Sequence, residues 1–156
     1  MVFYYEIKSK LINQYDGSIY EGEKIADIYI GKDKNENEVL LKYALPYDVW
    51  FKVDITNSKS AHVYLRTVEE VKSYRDLPVQ AVNECAQLAL SFSSTGCPKE
   101  GVKVSFTWVS NLKKTSYMEV GAVSFKNEAL LNSLHLAKIR GDVIQKLNLT
   151  KSEQSL

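Results

Sequence analysis

Three short stretches of this 156-residue chain carry the residue types that grip phosphates or stack on bases. The first is Gly31-Lys32-Asp33-Lys34-Asn35-Glu36-Asn37, a polar loop opening a helix. Backbone N–H groups and the helix dipole at such a start can hold an anion, and Lys32 and Lys34 add positive charge, with Asn37 closing the run. The same run also fits a capped, solvated turn. The second stretch comprises two segments, 48–55 and 61–66. If they pair as strands, the face opposite Val49, Phe51, Val53, Val63 and Leu65 carries Trp50, Lys52, His62, Tyr64 and Arg66. Aromatics interleaved with cations suit stacked bases and their phosphates. The competing reading packs Trp50 and Tyr64 beneath a helix and leaves the charges at the fringe of the sheet. The third stretch, Asn111-Leu112-Lys113-Lys114-Thr115, is a loop tip with a lysine pair. From Gly96 to Lys126 five lysines face two glutamates, a local net charge of +3. Such a tip is either simply solvated or a phosphate-gripping loop.

Signatures of catalysis are missing. Gly31-Lys32 is not a nucleotide-binding P-loop, because the places that need Gly and Ser or Thr hold Ala26 and Asp33. The two histidines, His62 and His135, have no HExxH or HxH partner, so no zinc site is expected. Cys85 falls on the apolar face of a helix, where a buried, inert thiol is expected. The acids are scattered among mixed charges, with no apolar-flanked pair suited to acid–base work. The expectation is a protein with no catalytic residues, no metal and no cofactor.

The elements that must position these residues read as an alternation of strands and helices. Val2 to Ile7 is a strand, and Asn13 to Lys24 is a polar turn or excursion around Asp16-Gly17. Ala26 to Ile30 returns as a strand. Residues 35–45 form a helix capped by Asn35 with Glu38 closing a capping box, and Pro46 ends it. Asp48 to Ile55 and Ala61 to Arg66 alternate as strands around the loop 56–60. In the helix Pro78 to Ser93, Val82, Cys85, Ala86, Ala89 and Leu90 make the buried face, and Gly96 and Pro98 close it. Val102 to Trp108 and Val120 to Phe125 are strands. Asn127 to Leu149 reads as a closing helix whose Leu136, Ile139, Val143 and Leu147 make a narrow stripe close to a coiled-coil seam. The sum is an α+β fold, a mostly antiparallel sheet with two to three packed helices and a C-terminal helix.

Composition is that of a globular chain: 45% hydrophobic, 25% charged and 11% aromatic, with 10 tyrosines. The net charge is only +1, so any basic surface is local. The two cysteines, Cys85 and Cys97, form no CxxC pair, which fits a reducing compartment. No signal-peptide core and no apolar run of membrane-spanning length is present, and the expected location is the cytoplasm or nucleus.

Four blocks, in order, resemble the NFACT-R family. Residues 30–38 are similar to its glycine, basic residue and acid/Asn motif at a helix start. Asp48-Val49-Trp50-Phe51-Lys52-Val53 resembles its D-x-W-F-H-V strand, and Ser60-Ala61-His62-Val63-Tyr64-Leu65-Arg66 its S-x-H-V-x-L-R strand. Val104-Ser105-Phe106-Thr107, Asn111-Leu112-Lys113-Lys114 and Val120-Gly121 resemble its V-x-Y-T, K-K and G segment. The resemblance covers most of residues 28 to 125. It implies contact roles for Lys32, Lys34, Asn37, Trp50, Lys52, His62, Tyr64, Arg66, Lys113 and Lys114. In multidomain relatives it implies a module contacting tRNA and the large ribosomal subunit during quality control of stalled chains. In standalone relatives it implies nucleic-acid binding with a charged coiled coil after the domain.

Two departures stand out. Lys52 takes the place of the motif's histidine, which keeps a donor but argues against catalysis there. Residues 9–25 read as an insertion. The expected organisation is a nucleic-acid-binding domain over 1–126, then a C-terminal helix and short tail over 127–156, the start of a coiled coil. The expected partners are nucleic acid, RNA before DNA, the ribosome, and a second copy through the closing helix. The alternative is a DNA-binding sensor or adaptor that signals through that helix.

Overall fold

The computed structural model describes residues 2–54, 61–93 and 97–155. Apolar β-branched and aromatic residues recur along β1 (Val2–Ile12) and β2 (Ile19–Gly31), which pair antiparallel from Phe3 opposite Ile30 to Ile12 opposite Ile19. The stretch expected to be a polar excursion is the tip of this long hairpin. There Asn13 Oδ1 accepts from the Tyr15 and Asp16 amides, and Gly17 supplies a φ of 72°.

The remaining elements follow as α1 (Lys34–Tyr43), β3 (Val49–Val53), β4 (His62–Thr67), α2 (Val79–Ser91), β5 (Val102–Trp108), β6 (Leu112–Lys113), β7 (Ser124–Phe125), β8 (Asn132–Leu136), α3 (Gly141–Asn148) and β9 (Ser152–Gln154). Among the described residues, seven strands form one antiparallel sheet in the order β8-β5-β3-β4-β2-β1-β9, and β6 pairs with β7 as a separate hairpin. The fold is α+β, as the strand and helix periodicities indicate. Ile55, the loop 56–60 and Gly96 lie outside the described residues.

The sheet is covered on both faces. Val49, Phe51 and Val53 of β3 and Val63 and Leu65 of β4 pack with Ile28 and Ile30 against α2 and α3. On the other face Tyr29, Trp50 and Tyr64 pack with Leu40 of α1 and Leu112 of the β6–β7 hairpin. Burial therefore runs almost unbroken along both central strands, although their side chains alternate between faces.

Residues 127–149 do not form one closing helix. A single 3-10 turn at Glu128–Leu130 leads into β8, which pairs with β5, and α3 begins only at Gly141. In β8 the period is two: Leu134 and Leu136 turn inward, Ser133 and His135 outward. Leu136 and Leu147 are both buried in the core while Ile139 is exposed, so the expected stripe is not one continuous seam. The chain then adds β9 antiparallel to β1.

Two smaller corrections concern boundaries. The cap of α1 is Asp33, not Asn35. The strand expected over 120–125 is reduced to Ser124–Phe125, because Gly121 sits at a φ of 80° and bends the chain.

Candidate nucleic-acid interface

Strand register builds the centre of the α1 face. Tyr4, Tyr29, Tyr64 and Trp50 stand in one row across β1, β2, β4 and β3. The Tyr29 and Tyr64 rings stack at 4.8 Å, and Trp50 meets Phe125 edge-on at 5.5 Å. Tyr64 is 0% exposed and Trp50 2%, so neither ring offers a face to a base. The expected stacking platform is instead the core beneath α1 and the hairpin, and burial raises the Tyr64 hydroxyl pKa.

Arg66, expected at the edge of a groove, is held inward by Asp48, whose side chain is 2% exposed. Arg66 Nε donates to Asp48 Oδ1 at 2.9 Å and Nη2 to Oδ2 at 2.8 Å. The Tyr29 hydroxyl and the Leu45 amide also donate to this carboxylate. The guanidinium lies over Tyr29 and Tyr43, 5.3 and 5.1 Å from their ring centroids. Hydrogen bonding to Asp48 raises its pKa further, so the charge is permanent. Asp48 and Tyr29 are structural parts of this face that residue types alone did not single out. The available signal was an acid leading an apolar strand, with an Arg on the same face of the next strand and a Tyr one strand further.

The start of α1 is satisfied from within. Asp33 accepts from the Glu36 amide at 2.9 Å, and the Lys32 amide donates to Glu36 Oε1 at 3.0 Å. Two carboxylates thus occupy the place a phosphate would need, which removes the anion-site reading of this helix start. Lys32 Nζ pairs with Glu36 at 3.5 Å and lies 3.6 Å from the Phe3 centroid. Asn37 is buried, and its Oδ1 accepts from the His62 amide at 3.3 Å, tying α1 to β4. Lys34 is exposed, with no ion pair among the described residues.

The two lysines of the hairpin differ. Lys113 points to solvent. Lys114 is a clamp: Nζ donates to the Glu119 and Ala122 carbonyls at 2.6 and 2.9 Å and pairs with Glu38 at 2.9 Å. Glu38 in turn accepts from the Gly121 amide at 2.7 Å; that bond and Lys114 hold its carboxyl below the usual range. A Cβ on Gly121 would sit 2.8 Å from the Lys34 carbonyl oxygen, so this close approach needs glycine. The result is a 119–123 segment pinned to the side of α1.

Beneath that segment lies a cavity of about 270 Å³. Its lining includes Trp50, Lys52, His62 and Ser105 from the sheet, and Gly121, Val123 and Phe125 from the opposite wall. His62 is 3% exposed, and burial, with Lys52 and Lys114 nearby, lowers its pKa to about 3, so it is neutral at physiological pH. Lys52 is half-buried and has no ion pair among the described residues. Of the expected residues, the structure thus gathers Trp50, Lys52 and His62 at one cavity with Lys34 against its wall. It assigns Asn37, Tyr64, Arg66 and Lys114 to internal bonds.

A similar sheet and helix arrangement occurs in the C-terminal region of the fibronectin/fibrinogen-binding protein from Streptococcus suis. The TM-score is 0.61, with 20% identity, covering 90% of this chain and 49% of that one. That likeness establishes the fold. Residues 18–127 match the model of the NFACT protein RNA binding domain. The chain belongs to that family. Coiled-coil domain-containing protein 25 of Mus musculus is 40% identical over 127 residues, covering 81% of this chain and 60% of the relative. Its Dictyostelium discoideum homologue is 37% identical over 128 residues, and Protein JLP2 of Saccharomyces cerevisiae 31% over 156 residues, 69% of its length. This chain therefore spans about three fifths of the length of the first of these relatives. The NFACT match runs from β2 to β7 and takes in α1, the cavity and the hairpin, while β1, β8, α3 and β9 lie outside it.

Proposed function

We propose that this domain is a non-catalytic RNA-binding module of the translation machinery, acting in the cytoplasm or nucleus on tRNA or ribosomal RNA during quality control of stalled chains. The observation that carries the reading is local. In a chain of the NFACT RNA-binding family with a net charge of +1, Lys52 lines a concave face, and exposed Lys34 and Lys113 stand on α1 and the β6–β7 hairpin that cover the same side of the sheet, all three without carboxylate partners among the described residues. A chain with no global field gains nucleic-acid affinity from such a cluster, since each phosphate contact releases counterions. Lys52 in place of a titrating histidine and a neutral, buried His62 fit binding rather than proton transfer.

RNA is favoured over duplex DNA because the face is a cavity between a sheet and a short hairpin. Unpaired or looped strands fit such a shape. The C-terminal helix α3 is docked on α2 and β1 with Leu147 buried, which gives a signalling role for that helix no support. The test is displacement of labelled tRNA, followed by anisotropy, using unlabelled tRNA and duplex DNA of equal phosphate content. tRNA should compete at lower concentration. Equal or better competition by the duplex would replace this reading with DNA binding.

A further inference from the structure

The outer face of α1 is arranged unlike an ordinary solvated helix. Two neighbouring rows run along it at a spacing of four residues: Lys34, Glu38 and Lys42, then Asn35, Val39 and Tyr43. Glu38 stands four residues from each lysine, the spacing at which a solvated helix pairs opposite charges. Its carboxylate is instead taken by Lys114 at 2.9 Å and by the Gly121 amide at 2.7 Å. Lys34 and Lys42 are both exposed and have no ion pair among the described residues. They stand about 12 Å apart along the helix. Aromatic rings adjoin them. Tyr43 is 39% exposed, and Tyr47, in the turn to β3, is 63% exposed. Both are held in place. The Tyr43 ring meets Tyr29 edge-on at 5.4 Å and carries the Arg66 guanidinium 5.1 Å from its centroid. The turn is tied by the Leu45 amide to Asp48 at 2.9 Å, by the Asp48 amide to the Leu45 carbonyl at 3.0 Å, and by the Ser110 amide to the Pro46 carbonyl at 3.2 Å. Groups fixed before binding lose little freedom when a ligand settles on them. Cations without carboxylates beside fixed, open aromatic rings match the phosphates and bases of a single strand.

We propose that a single RNA strand runs along the outer face of α1 and over the α1–β3 turn, its phosphates held by Lys34 and Lys42 and its bases stacked on Tyr43 and Tyr47. The proposal rests on the RNA-binding reading and deepens it: Tyr43 and Tyr47 take the stacking role that burial denies to Trp50 and Tyr64, and Lys42 joins the phosphate contacts.

The experiment measures, by fluorescence anisotropy, the affinity for a labelled single-stranded oligoadenylate and for an abasic ribose-phosphate strand of equal length, each over a range of salt. The wild type should bind the base-bearing strand at least about fivefold more tightly than the abasic one, the size of one stacked base. Tyr47→Ala should erase most of that ratio, and Tyr47→Phe, which keeps the ring, should preserve it. Lys42→Ala should weaken both strands and lower the log–log salt slope by about 0.7. If strands bind but the ratio survives Tyr47→Ala and the slope survives Lys42→Ala, the path along α1 is refuted and RNA binding through other lysines stands. If the wild type binds both strands equally, stacking is refuted. If no strand binds, both readings fail. If light scattering shows a wild-type dimer that Tyr47→Ala makes monomeric with RNA binding intact, the face is a protein contact and the proposal is overturned. Should Tyr47→Ala fail to fold, the wild-type ratio and the Lys42→Ala slope still decide.

Discussion

Arg66 is a cation that its strand position presents as a ligand contact and its partner makes structural. Removing it leaves Asp48 buried, charged and short of its bidentate donor. Arg66→Ala should therefore cost about 3–5 kcal/mol in urea unfolding, and Arg66→Lys should recover only part, since an ammonium cannot reproduce the fork. A loss below about 1 kcal/mol would mean the carboxylate finds other support. His62 makes a pH prediction of definite sign. Its pKa falls from 6.5 to about 3 on folding, so the folded state prefers the neutral ring. The stability this confers is present above about pH 6.5 and is lost progressively as pH falls toward about 3. Between pH 7 and 5 the wild type should lose about 2 kcal/mol more than His62→Gln, measured by urea unfolding at each pH. Equal losses would show a solvated ring. Which residues share a face was legible at this scale: Trp50, Lys52, His62, Tyr64 and Arg66 do lie on one side. What covers that face was not, because alternation fixes orientation and says nothing of the element that packs above it.

At the scale of elements, the wall of the cavity depends on a glycine. Gly121 combines a φ of 80° with an approach to Lys34 that leaves no room for a side chain. Gly121→Ala should lower stability by about 1–3 kcal/mol in thermal unfolding and loosen the 119–123 segment from α1. A variant as stable as wild type would show that the segment is not locked there. The α2 helix was legible because its apolar positions follow helical spacing along one face, and α1 because Pro46 and its polar start bound it. The region 127–149 was not. Its Leu136, Ile139, Val143 and Leu147 match a heptad-like stripe, but Leu136 belongs to a strand and Leu147 to a helix. Residues at both periods pack on one core, and an open edge of β5 recruited the first as β8. The β1–β2 hairpin was read short for a related reason: beyond Ile7 the strands run on with mostly exposed residues, Leu11, Ile12, Ile19 and Tyr20 among them, held by cross-strand pairing rather than by burial.

For the whole molecule, twenty basic and nineteen acidic residues cancel almost completely, so affinity for RNA has to come from where charges sit. Lys32, Lys114 and Arg66 are engaged by Glu36, Glu38 and Asp48 within the fold, which leaves Lys52 in the cavity lining and exposed Lys34 and Lys113 as the expected contact cations not held by an ion pair among the described residues. The most direct measurement is the affinity for a single-stranded RNA as a function of salt, for the wild type and for Lys34→Ala/Lys52→Ala/Lys113→Ala. Each lysine that meets a phosphate contributes about 0.7 to the log–log slope, so the triple variant should bind more weakly with a slope lower by about 2. Unchanged affinity and slope in a folded triple variant would contradict the assignment of this face as the RNA-binding surface.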